Sequence, residues 1–172
     1  FQGDFGRALA TADDALALLL EIQNSSLSAA HLCNMAQLLA KRGDLALARS
    51  RAEGGLLLAR ELGLKETIGG NYLIIGWISL SQGQPDQALR AYAQAETIFN
   101  ELADPRMIAW IQWHIGQAFF AKGDLAQSRK HHDEALAIRE KHGLKGFAAE
   151  SRAALAALAI EEGRAAEAET LA

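Results

Sequence analysis

The chain has 172 residues, 50% of them apolar and 22% charged, with two prolines and a net charge of −4. That composition excludes a disordered or collagen-like polymer, and a chain of this length can bury roughly 70% of its unfolded surface. The 17 basic residues are scattered, so the electrostatic footprint of a nucleic-acid binder is missing. The single cysteine, Cys33, leaves no partner for an internal disulfide and no Cys-based metal cluster, which fits a reducing, cytoplasmic compartment. No run of 18 apolar residues offers a membrane span, and no charged-then-apolar leader opens the chain.

Glycine stands at 3, 43, 83, 123 and 163, a period of 40 residues. Fixed periods in the range of about 20–50 residues are the mark of repeat arrays. The period divides a single domain, 1–172, into units 3–42, 43–82, 83–122 and 123–162 with a partial unit 163–172. Both ends fall inside units and the chain opens on Phe1, so a fragment of a larger protein is expected. In chain order the pattern predicts helices over about 4–22, 27–41, 44–62, 66–81, 85–102, 106–121, 124–142, 146–161 and from 164. No segment alternates at period two, so no strand is expected.

The first helix of each unit carries small residues five positions after the glycine (Ala8, Ala48, Ala88, Ser128, Ala168) and twelve after it (Ala15, Gly55, Ala95, Ala135). Aliphatic residues follow at fifteen (Leu18, Leu58, Ile98, Ile138) and nineteen (Ile22, Leu62, Leu102, with His142 as the exception). These offsets share one side of a helix, predicted to be its packing side. The second helix repeats Met35, Ile75, Ile115, Leu155, each followed by a small residue (Ala36, Gly76, Gly116, Ala156) that lets two helices approach closely. Gly63 and Gly143, followed by Leu64 and Leu144, have the form of left-handed helix caps. Asp44 and Asp124 are N-cap candidates, and Pro85 and Pro105 suit a first helical turn.

These columns resemble the tetratricopeptide repeat (TPR), with its Trp-x2-Leu-Gly-x2-Tyr, Ala-x3-Phe and Pro signature. The third unit carries Ile115-Gly116-x2-Phe119, then Lys122-Gly123-Asp124, Ser128-x3-His132 and Ala135; the second carries Tyr72-x2-Ile75-Gly76, Gly83, Ala88-x3-Tyr92 and Ala95. The resemblance spans the chain, but the period is 40 rather than about 34 and the closing proline is absent. The extra length is expected in the helices and in the loop between repeats. Long variants of this kind resemble repeats of kinesin light chains, of maltose-activator-like bacterial transcription regulators and of related signalling ATPases. The resemblance implies an all-α, right-handed α-solenoid of antiparallel helix hairpins, about nine helices long.

It also implies a concave groove lined by the first helix of each family hairpin. In this chain those columns are Cys33, Leu73, Trp113, Ala153; Gln37, Trp77, Gln117, Ala157; and Ala40, Leu80, Phe120, Ile160. Trp110 lies one turn before Trp113. Trp77, Trp110, Trp113, Phe120 and Leu73 are then candidate apolar anchors, and Asn34, Gln37, Asn71, His114 and Gln117 candidate orienting groups. Adjacent His131 and His132 point about 100° apart and cannot chelate one ion, His-Glu-x-x-His is absent, and His132 falls in the aromatic packing column. Glu53-Gly54-Gly55 and Ile68-Gly69-Gly70 lack the lysine and preceding strand of a phosphate loop. No catalytic set, metal or cofactor is expected. The expected function is a regulatory module of a larger bacterial protein that takes a protein or peptide in its groove. A small-molecule effector and a homodimer are the alternatives.

Overall fold

The computed structural model describes residues 2–171, with side chains from Gly6 onward apart from that of Leu20. Among the described residues it contains nine α-helices and no strand. They are α1 (Gln2–Glu21), α2 (Ser25–Arg42), α3 (Leu45–Glu61), α4 (Lys65–Ser81), α5 (Pro85–Glu101), α6 (Pro105–Ala121), α7 (Leu125–Lys141), α8 (Lys145–Glu161) and α9 (Ala165–Leu171). The expected bounds fall within two residues of these.

The turns explain the regularity. Gly43, Gly63, Gly83, Gly123, Gly143 and Gly163 all take the left-handed conformation, with φ from 67° to 92°. At Gly63 and Gly143 the following amide returns to the helix: Leu64 N–H donates to Ala59 at 2.9 Å and Leu144 N–H to Arg139 at 2.8 Å. The linkers between repeats, 62–64, 102–104 and 142–144, are no longer than 82–84 and 122–124 within them. The extra residues of the long period therefore sit in the helices, 17 residues each from α3 to α8, and not in a longer inter-repeat loop. At the helix starts, Asp124 accepts from Gln127 N–H at 3.0 Å, and Asp104 accepts from Arg106 and Met107 N–H ahead of Pro105. Asp44 makes no such cap, because its carboxylate is taken by Arg42.

The helices gather into two compact units, one closing at Gln84 and the other opening at Pro85. In the first unit, Ala36, Leu39 and Ala40 of α2 pack with Ala48 and Ala52 of α3 and Ile74 and Ile78 of α4. A smaller cluster joins Ala12 and Leu16 of α1 to Met35. In the second unit the buried set includes Tyr92 and Phe99 of α5, Ile111 and Ile115 of α6, Leu155 and Leu158 of α8, and the polar His132 and Arg139 of α7.

The packing stripe differs in two respects from that expected, since the column at fifteen is only half-buried at Leu58, Ile98 and Ile138 and the column at nineteen is exposed. On α3, α5 and α7 the positions buried in common lie five, nine, twelve and sixteen residues after the repeat glycine: Ala48, Ala52, Gly55, Ala59; Ala88, Tyr92, Ala95, Phe99; Ser128, His132, Ala135, Arg139. The column at nineteen is exposed, with Ile22, Leu62 and Leu102 at 66%, 41% and 40%, and Leu18 is exposed too. The helix ends just before position nineteen, so the column lies in the turn, beyond the neighbour that would cover it. Close approach at the small columns is direct. A Cβ on Gly116 would lie 2.8 Å from the His132 ring, so α7 seats its imidazole on the bare backbone of α6.

Candidate functional site

In the first unit the candidate residues divide by depth. Asn34 is exposed, Gln37 is half-buried, and Trp77 is half-buried against the Ala36–Ile78 cluster. Leu73 is buried at 4% exposure, a core side chain rather than part of an open face. Asn71 is also buried, with its amide donating to Thr67 O at 2.8 Å. Cys33 is half-buried, and burial pushes its thiol up to about 11, so it stays protonated at neutral pH and is a poor nucleophile.

In the second unit α6 presents a denser arrangement. Trp110 and Trp113, both half-buried, flank His114, with ring centroids 5.6 and 5.0 Å from its imidazole. Tyr92 of α5 stacks on the same imidazole at 5.6 Å. His114 was expected to orient a ligand, but it is only 8% exposed and enclosed by aromatic rings. Burial, reinforced by the charges of Arg139 and His132, pulls it down to about 4, so it is neutral at physiological pH. His132 lies 6.1 Å from Trp113 edge to face and is held down to about 4 by burial and by Arg139 and His131. It fills the packing position its column implied. His131 stacks on Phe119 at 5.4 Å and bonds Gln112 at 2.6 Å, and Gln112 donates to Glu96. Gln117 is half-buried and Phe120 is 39% exposed at the end of α6.

Several polar atoms in this cluster are buried without a hydrogen-bond partner: Tyr92 OH, Trp113 Nε1 and His132 Nδ1. Aromatic rings therefore make up the main surroundings of the His114 and His132 imidazoles. No grouping of three or more His, Cys, Asp or Glu able to hold a metal occurs among the described residues. None of their helices is long and apolar enough to cross a membrane.

Beside Trp110 lies a cavity of about 270 Å³, lined by Arg106, Met107 and Trp110 of α6, Arg139 of α7, Leu144 of the following turn and Phe147 of α8. Arg139, at 1% exposure, spans its inner end. Its Nη1 donates to Phe147 O at 2.5 Å and Ser151 Oγ at 2.9 Å, and its guanidinium lies 5.6 Å from the Phe147 ring centroid. Burial lowers its proton affinity and Glu150 opposes that effect. Sequence reasoning passed over Arg139, because an arginine on a helix reads as solvated surface. The signal was nonetheless present in the column sixteen residues after each repeat glycine, which runs Leu19, Ala59, Phe99, Arg139.

No family model matches the chain, and no curated protein matches it in sequence. Solved structures do match in fold. One is BtubC (BKLC) from P. vanneervenii, at 22% identity and TM-score 0.84, covering 99% of this chain and 71% of that one. A second is a Rap protein complexed with Competence and Sporulation Factor, at 19% identity and TM-score 0.90, and this chain spans 48% of its length. A third is a putative kinesin light chain of nearly identical TPR-like repeats from Podosopora anserina, at 16% identity and TM-score 0.76, covering 99% of this chain and 84% of that one. What these likenesses share with the chain is its fold: all-α, of the class of TPR-like solenoids built from antiparallel helix hairpins.

Proposed function

We propose that the chain is a non-enzymatic recognition module that binds a protein or peptide through open aromatic faces, that of α4 in the first unit and that of α6 in the second, each taken by itself. We assign it a regulatory role in a larger bacterial, cytoplasmic signalling or transcription-regulating protein. The observation that carries this reading is the character of those two helices. From Thr67 to Ser81 and from Met107 to Ala121 neither contains an Asp, Glu, Lys or Arg. A helix with no charged face is normally buried all round. Yet Trp77 and Leu80 in the first unit, and Trp110, Trp113 and Phe120 in the second, keep part of their surface open. Aromatic surface left open on an uncharged helix is what a partner's apolar side chains cover, and Trp is the commonest anchor of such contacts. Gln37 and Gln117, half-buried at the same helix register, supply amides that can pair with a peptide backbone. The Rap neighbour, complexed with Competence and Sporulation Factor, lends this reading support by likeness of fold.

Selection of peptides from a random display library on the immobilised chain tests the proposal, followed by titration of the selected peptides against Trp77→Ala and Phe120→Ala. The expected result is at least a tenfold loss of affinity in one variant with the helical circular dichroism unchanged. Peptides that bind both variants as well as the parent, or a library that yields none, would overturn it.

A further inference from the structure

Arg139 is the only Asp, Glu, Lys or Arg that is fully buried among the described residues, and it occupies a position that Leu19, Ala59 and Phe99 fill in the other repeats. The fold therefore does not require a charge there. A guanidinium carries five N–H donors, and taking it out of water is costly unless an anion compensates it. Here Nη1 is satisfied by Phe147 O and Ser151 Oγ, but the carboxylate facing Nη2, that of Glu150, stands 3.7 Å away on a side chain 54% exposed. That distance is beyond hydrogen-bond range. The cavity beside it has Met107, Trp110, Leu144 and Phe147 for walls and a second guanidinium, Arg106, 66% exposed. An apolar cavity of about 150 Å³ holds benzene, so one of about 270 Å³ accommodates a ring with a short acidic arm.

We propose that this cavity binds an apolar carboxylate, with the ring or aliphatic group between Trp110 and Phe147 and the carboxylate on the Nη2 edge of Arg139 in place of Glu150. Carboxylate is favoured over a bulkier polyanion because one buried guanidinium edge matches one planar carboxylate, and Glu150 would repel additional charge. This site shares Trp110 with the peptide-binding face of α6, but its decisive residues, Arg139 and Glu150, lie on α7 and α8.

Isothermal titration of the chain with 3-phenylpropionate, with its amide, and with a short peptide ending in phenylalanine, free or amidated at the C-terminus, is the test. Binding of the acid but not the amide supports the proposal and points to a free small molecule. Binding of the free-ended peptide alone supports it and points to a chain terminus. Arg139→Met, which places at this position an apolar residue like its three counterparts, is expected to weaken the acid at least tenfold, and Glu150→Gln to strengthen it several-fold. Equal binding of acid and amide, no binding of any probe, or an Arg139→Met protein that binds like the parent would each overturn the proposal. Should Arg139→Met fail to fold, the acid-against-amide contrast and Glu150→Gln still decide.

Discussion

Helices α3 and α7 occupy the same place in the repeat, one in each unit, and share four buried positions filled with different chemistry. α3 presents Ala48, Ala52, Gly55 and Ala59, whereas α7 presents Ser128, His132, Ala135 and Arg139. The first unit packs by proximity: a Cβ on Gly55 would stand 3.0 Å from Asn71 Oδ1 and 3.2 Å from Ala29 O. The second packs by large polar rings laid on small residues and on each other. The same register thus brings four equivalent positions inward in both helices, and the residue type at each decides whether the interface is inert or chemically addressable.

The largest expected difference between the units is in acid. His114 and His132 are held neutral at about 4, below the ordinary value near 6.5. The unfolded chain takes up protons first as pH falls, so the stability from neutral burial is complete above about pH 6.5. It is lost between there and pH 4, at about 3 kcal/mol per histidine. Hydrogen exchange across that range should show α6 and α7 losing protection while α2 and α3 keep theirs. Simultaneous loss in both units would remove the contrast.

Gly116→Ala comes next. Its methyl would meet three atoms of the buried His132 ring within 2.9 Å, and overpacking of this kind costs about 2 kcal/mol. Combining it with His132→Ala should recover part of that loss in urea unfolding, since the two changes share one contact. A smaller effect separates the two matching aspartates. Asp124→Ala removes a cap and should cost about 1 kcal/mol, while Asp44→Ala, which caps nothing, should cost a few tenths. Comparably small is Arg139→Met, which exchanges a buried charge for apolar volume but gives up the bonds to Phe147 O and Ser151 Oγ, so that the two effects offset and the unfolding free energy should move by about a few tenths of a kcal/mol. A marked destabilisation there would show that α7 depends on its arginine for the fold itself.

Much of the architecture was legible because helix, turn and period all depend on local chemistry. The glycine caps and the small columns Gly116 and Ala36 carry their geometry in the residue itself. Depth was less legible. Leu73 and His114 fell on the predicted groove register but are buried, because neighbouring helices, and not the helix's own period, decide what is covered. Ile22, Leu62 and Leu102 made the opposite error, apolar residues that look like core but lie past the last turn of their helices. Arg139 was hidden by its charge, and only comparison down the column of repeats distinguishes it from surface arginines such as Arg60.

The turns carry a finer rhythm than the 40-residue period. Left-handed residues stand at 23, 43, 63, 83, 103, 123, 143 and 163, a step of 20, with Gln23 and Ala103 taking the place of glycine at two of the eight. The backbone makes the same corner whether it turns within a hairpin or passes to the next. A shift of 20 residues along the chain would thus keep every corner and yet set α4 and α6, uncharged from Thr67 to Ser81 and from Met107 to Ala121, where the charged α5 and α7 stand. The corner therefore repeats every 20 residues, whereas the buried columns that tell one helix from the next repeat only every 40.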